Sequence, residues 1–389
     1  MSGCGTGGHY YPALAVVRCL LDAGAGARLL VDRAGGAAAA RDLLGAGAPV
    51  LELPQEPASP LGRLRAAAGR YLATGRLLAS DACQVFLSMG GGGSVPPLLA
   101  ALCHRVPVVL HEANAHPGRA NRRCASRAAV VTYAMRGDHP FFRLPNTVEV
   151  GMPLRSYQAA SGQSAAFPAS TSLAAPDSRP AVLVMGGSQG AHVLNERVAE
   201  TIQRWPELAR SLRIVHLTGD RDCRAVAEVY TRAGVDVAVH EFVPDLPRWL
   251  DRVDYAITRA GSSTVWELVR AGVPALFVPY PYAVDDHQMA NARWAAAIGP
   301  YEPLRQGELT IELLGERLAA VAARCLGRGT PGTREIDPQA RQQSWSAARQ
   351  LADILLDVAS RGQVEPAASG AVPPASGRAR ELSGAVAGR

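Results

Sequence analysis

Short apolar runs alternate with longer stretches of helical spacing along most of the chain. Arg28–Asp32 (RLLVD), Gln84–Ser88 (QVFLS) and Pro107–His111 (PVVLH) show no polar alternation. Runs of that kind predict strands buried on both faces of a parallel sheet, with helices between them. A second series follows at Ala181–Met185 (AVLVM), Ile214–Thr218 (IVHLT), Tyr255–Thr258 (YAIT) and Pro274–Val278 (PALFV). Between the two series, residues 156–180 are rich in Ser, Ala and Pro and read as a linker or a long surface loop. Near the end, Gln342–Ala359 places Trp345, Ala348, Leu351, Ile354, Leu355 and Val358 at helical spacing. Beyond it, residues 361–389 are low in complexity and read as a disordered tail.

The halves echo each other. Each opens on a glycine turn, GTGGH around Gly7 and GGSQG around Gly187. Each later has a helix, a Val-Pro pair and an apolar strand, HRVPVVLHEAN and AGVPALFVPYP. The expected architecture is α/β: two Rossmann-like units facing across a cleft, residues 1–155 and 181–340, with 341–360 as a final helix.

Composition narrows this little. At 389 residues the chain fits two ordinary domains, and its apolar stretches break well short of a membrane span. No basic segment followed by an apolar one opens the chain, so no signal peptide is read there. The seven cysteines are scattered singly without CxxC spacing, which argues for reduced thiols in the cytoplasm and against a zinc site. The net charge of +6 is carried by Arg alone and suits anionic partners: a nucleotide, a lipid diphosphate or a membrane surface. No dense basic run with interleaved aromatics points to nucleic acid.

The candidate chemistry lies at the strand ends, where open α/β sheets bind ligands. Gly3, Gly5 and Gly8 satisfy GxGxxG, and Asp32 stands where a dinucleotide enzyme places its ribose acid. Against that reading, His9 follows the glycines directly, and Tyr10-Tyr11-Pro12 leads into a helix expected over Pro12–Leu21, with Leu14, Val17, Cys19 and Leu21 inward. A His there either transfers a proton or lines the loop. Only Met1 and Ser2 precede the first glycine, so the strand that should lead into this loop is missing. We therefore expect a natural start several residues upstream.

Ser188, in the second glycine turn, adds a hydroxyl to an anion site or to a plain tight turn. Asn195, one turn inside the following helix, reads as a helix-surface or packing residue rather than a ligand. In HEANAHPG, Asn114 suits sugar hydroxyls, and Glu112 is either a functional carboxylate or a buried structural partner. Ser262, Ser263 and Thr264 cap a helix or hold an anion, and Glu267 chelates a ribose or complements the helix dipole. Asp285, Asp286 and His287 are too close in sequence to converge on a metal, and Gln288 is the better sugar contact.

Taken together, GTGGHYYPALA, SMGGGGS, VPVVLHEANAHPG, GMPLR, GGSQGAHVLNE and RAGSSTVWELVRAGVPALFVPYPYAVDDHQMANA resemble the MurG-type glycosyltransferases of family 28. The resemblance runs from about Gly3 to Ala359, omitting the linker. It implies a GT-B fold whose last helix crosses back to the first domain. It also implies an inverting transfer of N-acetylglucosamine from UDP-GlcNAc to the muramoyl 4-hydroxyl of lipid I, with no metal or other cofactor. Carried over by position, Thr6, Gly7 and Gly8 line the cleft and His9 is the base. Asn114 and Gln288 meet the transferred sugar, Arg155 and Ser188 the nucleotide side, and Val243 the uracil through its backbone. Ser262, Ser263, Thr264, Val265 and Glu267 hold diphosphate and ribose.

A lipid-linked acceptor implies contact with the cytoplasmic face of the membrane. The stretch Leu61–Leu78, with Arg63, Arg65, Arg70 and Arg76 among Leu64, Tyr71, Leu72 and Leu78, reads as a helix lying on an anionic leaflet or as an ordinary surface helix. Two residue patterns depart from the family: Gly92 and Gly93 leave the SMGGGGS loop bare, and Met152 replaces a usual Asn. The rival functions are a related transferase with another acceptor, a UDP-GlcNAc epimerase and a non-catalytic UDP-sugar binder.

Overall fold

The computed structural model describes residues 1–4, 7–32, 36–45, 48–55, 57, 59–80, 83–154, 178–186, 191–243, 246–326 and 336–361. The N-terminal half runs α1 (Gly7–Asp22), β1 (Leu29–Val31), α2 (Gly36–Leu44), β2 (Val50–Glu52), α3 (Pro60–Ser80), β3 (Phe86–Ser88), α4 (Val95–Cys103), β4 (Val108–Glu112), α5 (Arg119–Cys124), β5 (Val130–Tyr133) and β6 (Thr147–Glu149). The C-terminal half runs β7 (Ala181–Met185), α6 (His192–Arg204), α7 (Pro206–Arg210), β8 (Arg213–Leu217), α8 (Cys223–Ala233), β9 (Val237–His240), α9 (Leu246–Leu250), β10 (Tyr255–Thr258), α10 (Ser262–Ala271), β11 (Ala275–Phe277), α11 (His287–Ile298), β12 (Tyr301–Pro303), α12 (Ile311–Leu326) and α13 (Pro338–Arg361).

Every strand pairing is parallel. The second sheet has the order β12-β11-β10-β7-β8-β9, and β7 and β10 are buried along their whole length. Strands covered by helices on both faces need no polar alternation, which is why the apolar runs located them. All seven runs contain a strand, with ends shifted by a residue or two.

In the first sheet β1-β2 and β3-β4-β5-β6 are joined through a single residue. Ser2 bridges Leu30 on one side and Ser88 on the other, both in parallel. Its N–H donates to the Leu87 carbonyl at 2.8 Å, and Leu30 N–H donates to Met1 O at 2.8 Å. The expected missing strand is thus reduced to a one-residue bridge at the sheet's centre. Where the pairing stops, a cavity of about 470 Å³ opens between β1 and β3, lined by Leu20, Leu30, Leu78, Val85, Phe86 and Leu355 among others. The Met1 ammonium donates to Arg28 O at 2.8 Å, and burial lowers its pKa to about 6.

Two helices differ from expectation. α1 begins at Gly7, so Pro12 lies inside it and leaves the Gly8 carbonyl without its helical donor. Leu14 and Val17 face inward as expected, but Leu20 is buried while Cys19 and Leu21 are half-buried. The last helix crosses between the halves: Ala340 joins the core of Trp266 and Phe277, whereas Leu351, Ala352, Leu355 and Val358 join that of Leu14, Val17 and Leu87. Trp345, one of the apolar residues at helical spacing, is not part of this face: it is 62% exposed, with the Arg270 guanidinium over its ring. Met152 is fully buried in the core shared by the halves, so an apolar side chain fits that position.

An apolar β-forming segment fused ahead of Met1 is expected to fill the cavity and remove the buried ammonium. Each kcal/mol gained raises Tm by about 2–4 °C for a domain of this size. The gain has a defined pH signature. With the folded amine pKa below its unfolded value of about 8, the unfolded state binds more protons between those values. The parent chain therefore loses stability as pH falls from 8 through 6, and the fused chain loses less. Thermal melts from pH 6 to 8 check this, with a Gly/Ser fusion as the control that should leave the cavity unfilled.

Candidate active site

The cleft is built where the carboxyl ends of the two sheets face each other. On the N-terminal side, β3 ends in a turn at Gly90 and Gly91, whose φ angles of 85° and 79° belong to the left-handed region. His9, in the first turns of α1, lies against this turn. A Cβ at Gly91 would stand 3.2 Å from both His9 Cε1 and Nδ1, so the bare backbone makes room for the ring. Burial, helped by His287 across the cleft and opposed by Asp32, lowers the His9 pKa to about 4. The ring is therefore neutral at neutral pH.

Of the two bare positions in the SMGGGGS loop, only one has a steric reason. At Gly92 a side chain would meet open space, whereas at Gly93 it would run into the Asp32 carboxylate, Cys4 and Arg70. Asp32 is the acid that a dinucleotide reading would assign to a ribose. Instead it forms a buried ion pair with Arg70 Nη1 at 3.1 Å, and Arg70 Nε donates to Pro54 O at 2.7 Å. That pair anchors α3 to the sheet. It also removes Arg70 from the outward basic face on which the sequence had placed it.

At the end of β4, Glu112 is a buried hub. Its Oε1 accepts from the Asn114 backbone N–H at 3.0 Å and from Asn114 Nδ2 at 3.1 Å. Its Oε2 accepts from Gly118 N–H at 2.8 Å and from Asn121 Nδ2 at 2.8 Å. Of the two readings open for Glu112, the structure selects the buried structural partner. The hub folds residues 113–118 into a loop that offers the half-buried Asn114 to the cleft.

On the C-terminal side, β10 runs into α10 through Gly261. Ser262 is buried, Ser263 and Thr264 are half-buried, and Val265 is fully buried against the core. The first turn carries no acidic residue, so its backbone N–H groups and dipole form an anion-favouring end. Among the described residues Ser263 Oγ, buried there, has no hydrogen-bond partner. Glu267 is half-buried within α10. Val243 is buried just after β9. Gln288 Oε1 accepts from Tyr280 N–H at 2.9 Å, leaving its NH₂ to donate. Thr6, Arg155 and Ser188 lie outside the described residues; Gly7 and Gly8 open α1 at the cleft floor.

Several residues that brace the site were not singled out from sequence. Asn291 is fully buried, accepts from Ala115 N–H at 2.9 Å, and donates to Asn114 Oδ1 and Ala260 O, both at 3.1 Å. The available signal was its spacing: it lies three residues after Gln288, on the same face of α11. Arg259 spans β10 and β11, donating to Val278 O at 2.9 Å and to Gln306 Oε1 at 2.7 Å. Of the two readings open for Asn195, helix surface or packing, the structure selects packing: it is fully buried, donating to Asp222 Oδ2 at 2.8 Å and accepting from His216 Nε2 at 3.1 Å. Asp285 is turned to Arg119 and Arg122, and Asp286 towards Arg305. Among the described residues no group of three or more His, Cys, Asp or Glu is placed to share a metal ion.

Comparisons with known proteins agree with this architecture. The family model described as glycosyltransferase family 28 N-terminal domain matches residues 1–132, and that of the C-terminal domain matches residues 181–327. The chain is 36% identical over 372 residues to the UDP-N-acetylglucosamine--N-acetylmuramyl-(pentapeptide) pyrophosphoryl-undecaprenol N-acetylglucosamine transferase of Rhodospirillum centenum, covering 92% of this chain and 93% of that one. It is 35% identical to the protein of the same name from Paramagnetospirillum magneticum, covering 83% and 91%. Among solved structures, Acinetobacter baumannii MurG superposes with a TM-score of 0.65 at 28% identity, covering 92% of this chain and 98% of that one. A UDP-GlcNAc 2-epimerase from Neisseria meningitidis shares the fold at a TM-score of 0.64, with 14% identity and coverage of 92% and 99%. The fold is thus the two-domain GT-B arrangement, and the chain belongs to glycosyltransferase family 28.

Proposed function

We propose that the chain transfers N-acetylglucosamine from UDP-GlcNAc to the muramoyl 4-hydroxyl of lipid I, forming lipid II with inversion at the anomeric carbon. Named relatives of about 35% identity over most of the chain support the substrates. The observation within the site that carries the chemistry is His9: a neutral imidazole on a bare glycine turn, across the cleft from the loop of Gln288.

His9 takes the proton as the acceptor oxygen attacks C1 of the sugar. The bond from C1 to the diphosphate oxygen breaks, and UDP leaves with the electron pair. The first turn of α10 receives the departing charge through its N–H groups and the hydroxyls of Ser262, Ser263 and Thr264, with no metal required. The buried Ser263 hydroxyl supports this role, because a diphosphate oxygen would give it a partner. Glu267 takes the ribose hydroxyls, Val243 the uracil, and Asn114 and Gln288 the transferred sugar. Asn114 and Gln288 each keep donor or acceptor capacity beyond their structural hydrogen bonds. Thr6, Gly7, Gly8, Arg155 and Ser188 complete the donor site.

In this reading residues 1–155 take the acceptor and 181–340 the nucleotide sugar. Residues 156–180 link them, and 341–360 cross back ahead of the 361–389 tail. The acceptor side also meets the membrane. Among the described residues no helix is long and apolar enough to cross a membrane. α3 instead presents Leu61, Leu64 and Leu72, 54–68% exposed, beside the outward Arg63, Arg65 and Arg76. Such a face suits the anionic cytoplasmic leaflet that carries lipid I. Nucleic acid has no part in this reading.

Three outcomes test these roles. His9→Gln is expected to lower kcat about 10²–10⁴-fold in a transfer assay with radiolabelled UDP-GlcNAc and a lipid I analogue, while calorimetry shows donor affinity retained. Equal activity would remove His9 as the base. A base works when unprotonated, and a pKa of about 4 places that limit below the ordinary 6.5. kcat/KM is therefore expected to stay flat from pH 8 to 5.5, and an acid limb centred near 6.5 would contradict the assignment. Replacing Leu61, Leu64 and Leu72 by Ser is expected to weaken sedimentation with anionic vesicles without changing the melting temperature.

A further inference from the structure

Two contacts cross the cleft near the Gln288 loop, and they differ in kind. Asn291 makes neutral, fully buried hydrogen bonds to Asn114 and Ala115. Six residues earlier, Asp285 meets two arginines of the opposite half. Arg119 binds it in bidentate fashion, Nη2 to Oδ1 at 3.0 Å and Nε to Oδ2 at 3.3 Å, and Arg122 Nη2 reaches Oδ2 at 3.0 Å. Both arginines stand on α5, directly after the loop that the Glu112 hub folds.

The backbone around Asp285 is unusual. Asp285 and Asp286 are successive non-glycine residues with φ angles of 53° and 51°. Left-handed conformations of this kind cost energy and persist only where surrounding contacts impose them, and Asp is one of the residues that tolerates them. The double turn is braced on its other side: His287 Nδ1–H donates to Val284 O at 2.8 Å, and Gln288 accepts from Tyr280 N–H. Asp285 is therefore the point at which a strained loop of one half is tied to a helix of the other. That same loop delivers Gln288.

We propose that Asp285, with Arg119 and Arg122, is an ionic clasp across the cleft, a positioning residue that holds the Gln288 loop in its donor-binding place. Asn291 is the buried pivot and Asp285 the outer fastening. The pivot is shielded from salt, whereas the exposed ion pair is screened by it. Opening the halves about Asn291 breaks the clasp first and carries Gln288 away from Asn114. The inference rests on the UDP-GlcNAc reading of the cleft.

The test compares the full-length chain with Asp285→Asn, with Arg119→Gln/Arg122→Gln, and with all three changes together. Asn tolerates the left-handed backbone, so only the charge is removed. The expected result is a KM for UDP-GlcNAc raised about fivefold or more by either set, in the range of ordinary coupling between sites, with kcat little changed. The combined variant should be no worse than either set, because all three changes remove one interaction. Salt should raise the wild-type KM more steeply than that of Asp285→Asn. A wild-type KM in Asp285→Asn, or additive effects of the two sets, overturns the clasp. Failure of the wild-type chain to bind UDP-GlcNAc by calorimetry instead overturns the donor reading itself.

Discussion

The site depends on a carboxylate that the transfer reaction does not use. Burying Glu112 without partners would cost far more than any single contact in the cleft returns. Four donors satisfy it: two backbone N–H groups of residues 114 and 118, and the amides of Asn114 and Asn121. Meeting that requirement fixes the path of residues 113–118. It also sets the orientation of the Asn114 amide, whose remaining oxygen lone pairs then accept from Asn291 of the other half. The start of α5, and with it Arg119 and Arg122, follows from the same loop. One desolvated charge thus organises the N-terminal wall of the cleft and its seam with the C-terminal half.

The sheet architecture was legible because it rests on local pattern. Strands covered on both faces are continuous apolar runs, and their order in sequence constrains a doubly wound topology. The candidate site was legible where it sits on glycine turns and helix starts, as at His9, Gly90–Gly91 and Ser262–Thr264. What escaped was of another kind. Asp32 meets Arg70, and Asn291 meets Ala115 and Asn114 from 176 and 177 residues away. Periodicity carries no information about such pairs. Trp345 shows the same limit from the apolar side: helical spacing grouped it with Leu351 and Leu355, but α13 leaves it outside, covered by Arg270. The partners of Asp285, Arg119 and Arg122, likewise belong to another element, so sequence alone set it only beside Asp286 and His287.

The N-terminal sheet shows how little pairing a parallel core needs at one point when its faces are packed. Only Ser2 stands between β1 and β3, yet both strands are buried by α1, α3 and the end of α13. Burial of Leu29, Val31, Leu87 and Val109 holds the two parts of the sheet in line, and the Asp32–Arg70 pair ties α3 to the end of β1. The weakness is confined to the amino end of the strands, at the cavity beyond Met1. The carboxyl end, where Gly90, Gly91 and His9 meet, is held by hydrogen bonds from Ser2 and Gly3. The cleft floor therefore stands on the paired part of the sheet.

The two walls of the cleft solve opposite electrostatic problems. In the proposed reaction the N-terminal wall has to keep a base uncharged, and the burial that lowers the His9 pKa serves that end. In the same proposal the C-terminal wall has to welcome negative charge, and the start of α10 carries no acidic residue in its first turn. Either property alone is common in α/β proteins. Their value lies in facing each other, because displacement at a sugar carbon draws a proton off on one side while charge builds on the other. That opposition is a property of the seam between the halves. Residues that fix the seam without touching substrate, Glu112 and Asn291 among them, thus govern the chemistry as directly as the residues that line the cleft.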